Sequence, residues 1–275
     1  MENNKKLLYL GPNGSYSQIA MEKVNKKILK DYVPESISTI KKILDILPQN
    51  LSYYGVLPIE NSLEGIVRET IDNLASSKLK IMAEILVQVE HSLISNDKIE
   101  NITHIVSHPQ ALAQCQNYIS QNFGSNIELI SASSTSNSAK IVSEKGAGYA
   151  SIANEYCAEL YGLNILAKKI NDNPANFTRF VLVGYEDLKL PCNRTSLAFT
   201  TKNESGALLR VLEVFKKYNL NLIYIESRPS KKVLGEYIFF ADVDKGYHMI
   251  EPAIKEISSI CNFSRVLGAY SAIQD

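Results

Sequence analysis

The segment Asn176-Phe177-Thr178-Arg179-Phe180 sets a hydroxyl and a guanidinium side by side at the mouth of an apolar strand, Phe180 to Val183. Side chains alternate along a strand, an arginine fork can grip a carboxylate through two parallel hydrogen bonds, and a threonine hydroxyl can donate one more. Gly11 to Ser17 follows another apolar strand and opens a helix, so its backbone N–H groups, with the hydroxyls of Ser15 and Ser17, suit a carboxylate or phosphate. The same segment also reads as an ordinary capped helix after a turn. Glu60-Asn61-Ser62 stands at a third strand-to-helix junction, where its side chains either line a cleft or cap the helix. These segments gain meaning from occurring together and in order.

Other chemistries lack their hardware. No Gly-x-Gly-x-x-Gly follows a strand and no Gly-Lys-Ser/Thr is present, which argues against a bound dinucleotide and against P-loop phosphoryl transfer. His91, His104, His108 and His248 have no ligand spacing, so no metal and no cofactor is expected. Cys115, Cys157, Cys192 and Cys261 are scattered and read as reduced filler. Lys plus Arg equals Asp plus Glu, 29 against 29, so no basic field exists to collect nucleic acid or an anionic membrane. With 45% hydrophobic residues, no signal region and no span-length apolar stretch, the expectation is a cytoplasmic globular protein without a membrane partner.

The elements that must hold these residues repeat one sentence of strand, polar loop and helix. It runs from Lys6–Leu10 into a helix capped by Ser15 with Gln18 three residues on, a capping-box pattern. It recurs from Tyr53–Leu57 through a loop at 58–65 into a helix through Val67, Ile71 and Leu74, and from His104–Ser107 into a helix carrying Ala111, Leu112, Cys115 and Ile119. Looser copies follow to a strand at Thr178–Val183. Such alternation predicts a mostly parallel sheet with ligands at strand carboxyl ends, arranged as two small α/β lobes about a cleft over residues 1–184. Residues 185–194 read as a linker. From 195 to 275 the order is βαββαβ, a ferredoxin-like α+β domain, with Leu208, Leu212 and Phe215 on the helix face that meets the sheet.

Taken together the segments resemble the prephenate dehydratase family over nearly the whole chain. The matches are Tyr9-Leu-Gly-Pro-Asn-Gly-Ser-Tyr-Ser17, Pro58-Ile-Glu-Asn-Ser62, Ser107-His-Pro-Gln-Ala-Leu112 and Asn176-Phe-Thr-Arg-Phe180. The C-terminal part resembles the family's ACT regulatory domain at Gly206-Ala207-Leu208 and Glu226-Ser227-Arg228-Pro229. Ser205 stands where that family often has proline, and Ser15-Tyr16 replaces a commoner Thr-Phe. The resemblance implies a catalytic region with periplasmic-binding-protein-like lobes that removes water and carbon dioxide from prephenate without metal, cofactor or covalent nucleophile. It makes Thr178 and Arg179 catalytic, the threonine on the departing hydroxyl and the arginine on a substrate carboxylate. Ser15, Ser17, Glu60, Asn61, Ser62, Gln110, Asn176 and Phe180 are then expected around the substrate, and no functional residue is assigned to Ser133–Ala139.

In the C-terminal domain the resemblance implies phenylalanine as effector, bound between subunits of a homo-oligomer, dimer or tetramer. Gly206 lets backbone amides approach its carboxylate, and Glu226 or nearby carbonyls take its ammonium. No chorismate mutase segment precedes residue 7, so a monofunctional enzyme is expected. Rival readings are an arogenate dehydratase, a non-catalytic two-lobed metabolite-binding protein, and a phosphate-binding transferase resting on Gly11 to Ser17.

Overall fold

The computed structural model describes residues 5–230 and 236–273. The expected domain ends at 1 and 275, and the expected strand start at Gly235, lie outside the described residues. The chain opens with β1 (Lys6–Leu10), α1 (Tyr16–Lys27), β2 (Val33–Ile37), α2 (Ile40–Ile46), β3 (Tyr54–Asn61), the short β4 (Gly65–Ile66), α3 (Arg68–Ser76) and β5 (Lys80–Gln88). It crosses into β6 (Ser92–Ser95), β7 (His104–Ser107), α4 (Pro109–Ala113), α5 (Gln116–Phe123), β8 (Glu128–Ser131), α6 (Thr135–Lys145), β9 (Tyr149–Ala153), α7 (Glu155–Tyr161) and β10 (Asn164–Ala167). It then returns through β11 (Phe177–Gly184). The first lobe is a sheet of order β2-β1-β3-β11-β5 with β4 against β3, and the second a sheet of order β10-β6-β9-β7-β8.

Local chemistry sets the elements that reach the cleft. Ser15 caps α1 by accepting from the Gln18 amide, while the Gln18 side chain reaches back to the Gly14 amide at 2.8 Å, a capping box closed one residue early. The buried stripe Ala20, Met21 and Val24 then packs α1 on Leu7, Val56 and Ile85 of the sheet. Both lobes are mixed sheets, which corrects the mostly parallel arrangement expected from the alternating pattern. A strand that comes back from the other lobe enters its sheet from the opposite end. So β11 runs antiparallel to both β3 and β5, and β6 antiparallel to β9 and β10. The expected loop from Pro58 instead continues β3 to Asn61, with Pro58 at a register shift opposite Phe180.

Beyond the irregular segment after β11 come β12 (Arg194–Thr200), α8 (Ala207–Lys217), β13 (Leu222–Pro229), β14 (Tyr237–Val243), α9 (Tyr247–Ile260) and β15 (Phe263–Tyr270). Their sheet, ordered β13-β14-β12-β15, is antiparallel throughout and gives the ferredoxin-like arrangement. One face holds the two helices through Val211, Phe215, Ile250 and Ile257 against Leu197, Phe199 and Ala241. Much of the other face is covered by the first lobe. Ala198, Phe240, Leu267 and Tyr270 share a single core with Ile59, Ile71, Leu74, Ile81, Val181 and Val183 of the first lobe. The chain end adds to this docking, since Glu84 donates to the Ser271 carbonyl at 3.1 Å and Ile273 donates to the Glu84 carbonyl at 2.7 Å. That pairing covers the edge strand β5, which would otherwise present unpaired backbone. Among the described residues no helix is long and apolar enough to cross a membrane.

Gly268 of β15 lies where a Cβ would come within 2.2 Å of the Ile81 carbonyl oxygen, so the two domains approach backbone to backbone at this point. Gly268→Ala should lower unfolding stability by about 1–3 kcal/mol through forced separation of β15 from β5, read as a drop in urea midpoint. An unchanged midpoint would show that the contact yields freely.

Candidate active site

The two sheets face each other across a cleft of about 440 Å³ whose walls come from strand ends and helix starts of both lobes. β1 delivers Gly11, Pro12, Ser15, Tyr16 and Ser17; β7 delivers His108 and Gln110; the segment after β8 delivers Ser133 to Ser136. Because β11 is antiparallel to β3, its first residues meet the last of β3, and Thr178 pairs directly with Asn61. Six expected residues therefore gather here: Ser15, Ser17, Asn61, Gln110, Asn176 and Thr178. Among the described residues that line the cleft there is no Lys or Arg.

A chain of amide hydrogen bonds fixes the floor. The Asn61 side-chain oxygen accepts from the amides of Leu63 and Glu64, both at 3.0 Å, so its Nδ2 must face the other way. That nitrogen donates to Thr178 Oγ1 at 3.0 Å and to Asn176 Oδ1 at 2.9 Å. Since Thr178 Oγ1 already accepts, its proton is free to point into the cleft. Asn176 passes the pattern on by donating to Gln114 Oε1 at 3.1 Å, and the same oxygen lies 3.1 Å from His91 Nε2. An oxygen acceptor there assigns the proton to Nε2 of His91. Burial holds the His91 pKa below 6.5, with the Gln114 hydrogen bond opposing, so the ring is neutral. Gln114 Nε2, left buried without a protein partner, completes the row. Gln114, His91 and Tyr16 were not singled out from sequence, and neither was the Ser133–Ser136 turn. The turn carried a legible signal, a hydroxyl-rich run after a strand with Ser134 capping α6 by accepting from the Asn137 amide.

The lobes touch on both sides of this floor. On one, the crossing segments bind each other through Val89 to Asn176 at 2.8 Å and Ile170 to His91 at 2.9 Å. On the other, Asn154 Nδ2 donates to the Gly14 carbonyl at 2.8 Å, Ser136 donates to that of Asn13, and Gln18 reaches Tyr156 Oη at 2.9 Å. Gly14 has φ of +84°, and a Cβ on it would meet Ser136 Oγ at 2.7 Å, so only glycine allows this approach. Cys157 packs beneath it, its thiol pushed up to about 11 by burial and hence not a nucleophile near neutrality.

Four expected cleft residues lie elsewhere. Phe180 is buried among Leu7, Val56 and Ile85 beneath α1, and Ser62 is spent on the Ala175 carbonyl and the Phe177 amide. Arg179 and Glu60, one step along from Thr178 and Asn61, point to the opposite face of the sheet by strand alternation. There Arg179 Nε meets Glu84 at 2.5 Å, and Nη2 meets Asp242 at 2.5 Å and Tyr270 Oη at 2.8 Å, with Glu60 at 3.5 Å from Nη1. Burial opposes the guanidinium charge, but Tyr270, Asp242 and Glu84 outweigh it and raise its pKa. The Arg179 fork, expected on a substrate carboxylate, is occupied here by carboxylates of the protein itself.

In the C-terminal domain Gly206, Ala207 and Leu208 line a second hollow of about 400 Å³ with Tyr237 and Phe239. Ser227 pairs with Phe239 and Pro229 with Tyr237, so these two share that face. Glu226 and Arg228 pair with Phe240 and Ile238 on the face turned to the first lobe, where Arg228 Nη1 lies 3.9 Å from Asp72 of α3. The effector motif is thus split between two faces of one strand, and Glu226 does not face the Gly206 turn of its own chain.

A family model described as prephenate dehydratase matches residues 7–188, and one described as ACT domain matches residues 195–262. The prephenate dehydratase of Methanocaldococcus jannaschii is 39% identical over 274 residues, 97% of this chain and 98% of that protein. The solved prephenate dehydratase of Arthrobacter aurescens in complex with L-Phe has a TM-score of 0.85 at 30% identity, covering 97% of this chain and 90% of that one. A protein described as a novel type of quorum quenching acylase has a TM-score of 0.85 at 25% identity, covering 98% of each chain.

The neutral His91 makes the site sensitive to acid. As pH falls below 6.5 the unfolded chain takes up a proton at this position that the folded chain refuses, so folding stability falls with pH in that window. His91→Gln keeps a side-chain N–H for Gln114 and should flatten the fall in urea midpoint between about pH 6.5 and 5. A slope as steep as that of the unmodified protein would exclude a buried neutral His91.

Proposed function

The chain belongs to the prephenate dehydratase family, and from that membership together with the donors of its cleft we infer that it converts prephenate to phenylpyruvate, expelling water and carbon dioxide, under regulation by phenylalanine. In this reaction the ring carboxylate leaves as carbon dioxide, its bonding pair moves through the ring, and the ring hydroxyl departs as water after gaining a proton. Aromatisation supplies the driving force, so the protein needs to orient the substrate and stabilise the leaving hydroxyl. The orientation of Thr178 carries the reading. With Asn61 Nδ2 donating to its oxygen, the hydroxyl keeps its proton free to point into the cleft, where it meets the departing oxygen. A threonine titrates far above neutral pH, so it acts as a positioned donor, with the net proton coming from solvent.

The substrate's carboxylates fall to neutral donors. The hydroxyls and amides of Ser17, Ser134 and Thr135, the side chain of Gln110 and the free N–H of Gln114 stand around the cleft for that purpose. The helices capped by Ser15 and Ser134 add the partial positive charge of their first turns. A setting without a fixed cation has a chemical advantage here. A fixed cation against the carboxylate that must leave would stabilise it most before reaction and so raise the barrier. The likeness to an acylase is a likeness of fold, and a fold alone assigns no acyl chemistry.

Phenylalanine binds with its carboxylate at the Gly206–Leu208 turn. The outward face of β13, carrying Ser227, Pro229 and the exposed Ile223 and Ile225, belongs to the same site and is completed by a second subunit. On this reading the enzyme is a cytoplasmic homo-oligomer, a dimer or tetramer.

Absorbance of phenylpyruvate formed from prephenate at neutral pH, with and without phenylalanine, tests both parts. Product that phenylalanine suppresses is expected; absence of product would overturn the assignment. Thr178→Ser should retain substantial activity and Thr178→Val lose about a hundredfold or more in kcat, whereas equal rates would remove Thr178 from the chemistry. Asn61→Asp keeps the acceptor for Leu63 and Glu64 but turns the donor to Thr178 into an acceptor. The hydroxyl then points away from the cleft, and kcat should fall about a hundredfold with KM little changed.

A further inference from the structure

The residues adjoining the Asn61–Thr178 pair, Glu60 and Arg179, form the next pair of the same ladder, and both turn toward the C-terminal domain. Arg179 there joins Glu84 of β5 to Asp242 of β14 and Tyr270 of β15, and Arg194 of β12 meets Glu84 at 2.5 Å. Asp242 in turn accepts from Ser196 of β12. Glu84 and Asp242 are 6% and 5% exposed, so this is a buried charge cluster and not a surface pair. Losing one member strands the others without water to solvate them.

Two observations show that the cluster is not packed to completion. The Tyr224 ring, of β13, lies over the Arg179 guanidinium at 5.9 Å, but Tyr224 Oη is buried with no hydrogen-bond partner. Beside it is a small space of about 20 Å³, enough for a single water, where Glu60, Arg179, Ser196 and Asp242 meet the apolar Ile59, Ile71 and Phe240. The ladder also shifts register between Arg179 and Phe180. Dense cores resist small displacements, whereas a polar contact with spare room beside a bulge can take a second arrangement.

β13 gives that contact an input. Its outward residues Ser227 and Pro229 pair with Phe239 and Tyr237 beside the Gly206–Leu208 turn, while its inward residues Tyr224 and Arg228 meet Arg179 and Asp72 of the catalytic region. We propose that Arg179 is a positioning residue through which the docked C-terminal domain sets the placement of Thr178, so that effector binding at β13 reaches the catalytic hydroxyl through Tyr224, Asp242 and Arg179. The proposal rests on the functional reading above for the identity of substrate and effector.

Asp242→Asn and Arg179→Gln test it by steady-state kinetics, phenylalanine titration and calorimetry. Asp242→Asn, outside the cleft, should lower kcat about tenfold with KM within about threefold, and should move inhibition to at least about tenfold higher phenylalanine while calorimetry still detects binding. Asp242→Glu should restore most of both properties. An Asp242→Asn enzyme with wild-type kcat and wild-type inhibition overturns the proposal, as does an Arg179→Gln enzyme whose defect lies in KM with inhibition intact. Amide exchange separates this from failure of the functional reading, because it needs neither substrate nor effector. Exchange at 177–179 should be faster in Asp242→Asn than in the unmodified protein, and identical exchange overturns the proposal even where wild type turns over prephenate. Wild type inactive on prephenate, with exchange altered as expected, overturns the functional reading and leaves the mechanical link standing.

Discussion

Alternation along β11 is the constraint on which the remaining structure turns. Phe180 and Leu182 face the core beneath α1, with Thr178 emerging from that face into the cleft. Val181 and Val183 face the core shared with the C-terminal sheet, and Arg179 emerges there. One strand thus belongs to two cores, and a change of register by one residue would exchange the hydroxyl for the guanidinium. The buried cluster around Arg179 makes such a slip costly, since Glu84 and Asp242 would lose their partner inside a medium that cannot solvate them.

On the proposed reading, the cleft handles a small dianion without a cation among its described lining residues. Each side-chain amide is oriented by its partners, Asn61 by the Leu63 and Glu64 amides, Asn176 by Asn61 and Gln114, and Gln114 by Asn176 and His91, while Thr178 accepts from Asn61. Preorganised dipoles of this kind lose nothing to reorientation as charge moves from carboxylate to leaving oxygen. A neutral His91 belongs to the same logic, because protonating it would put a cation two hydrogen bonds from Asn176. Burial, by lowering its pKa, prevents that near neutrality.

Much of this was legible in the sequence where a rule acts over a few residues. The Ser15 cap, the strand His104–Ser107 and the βαββαβ order are local patterns, and the structure places them as read. What escaped depends on partners distant in the chain. β5 reads as an unbroken apolar run with one glutamate, and Glu84 makes sense only beside Arg179 and Arg194. The alternation of Thr178 and Arg179 was visible, but not which side each faces, because that is decided by which surface of the sheet the C-terminal domain covers. Gln114 lies in the break between α4 and α5, where an uninterrupted helix was expected, and nothing in its neighbours advertises the row of amides it joins.

The C-terminal domain repeats the device of β11 on a second strand. β13 pairs Ser227 with Phe239, which lines the hollow at the Gly206 turn, and carries Tyr224 and Arg228 toward the catalytic region. A strand is stiff along its length, but its two faces answer to different neighbours, so a ligand that reorders one face changes what the other can pack against. The Tyr224 ring, the Asp242 carboxylate and the Arg179 fork run from β13 to β11. Two period-two strands, each with a functional group on one side and a buried charge contact on the other, can therefore be joined back to back, with the domain interface as the element both sites bias.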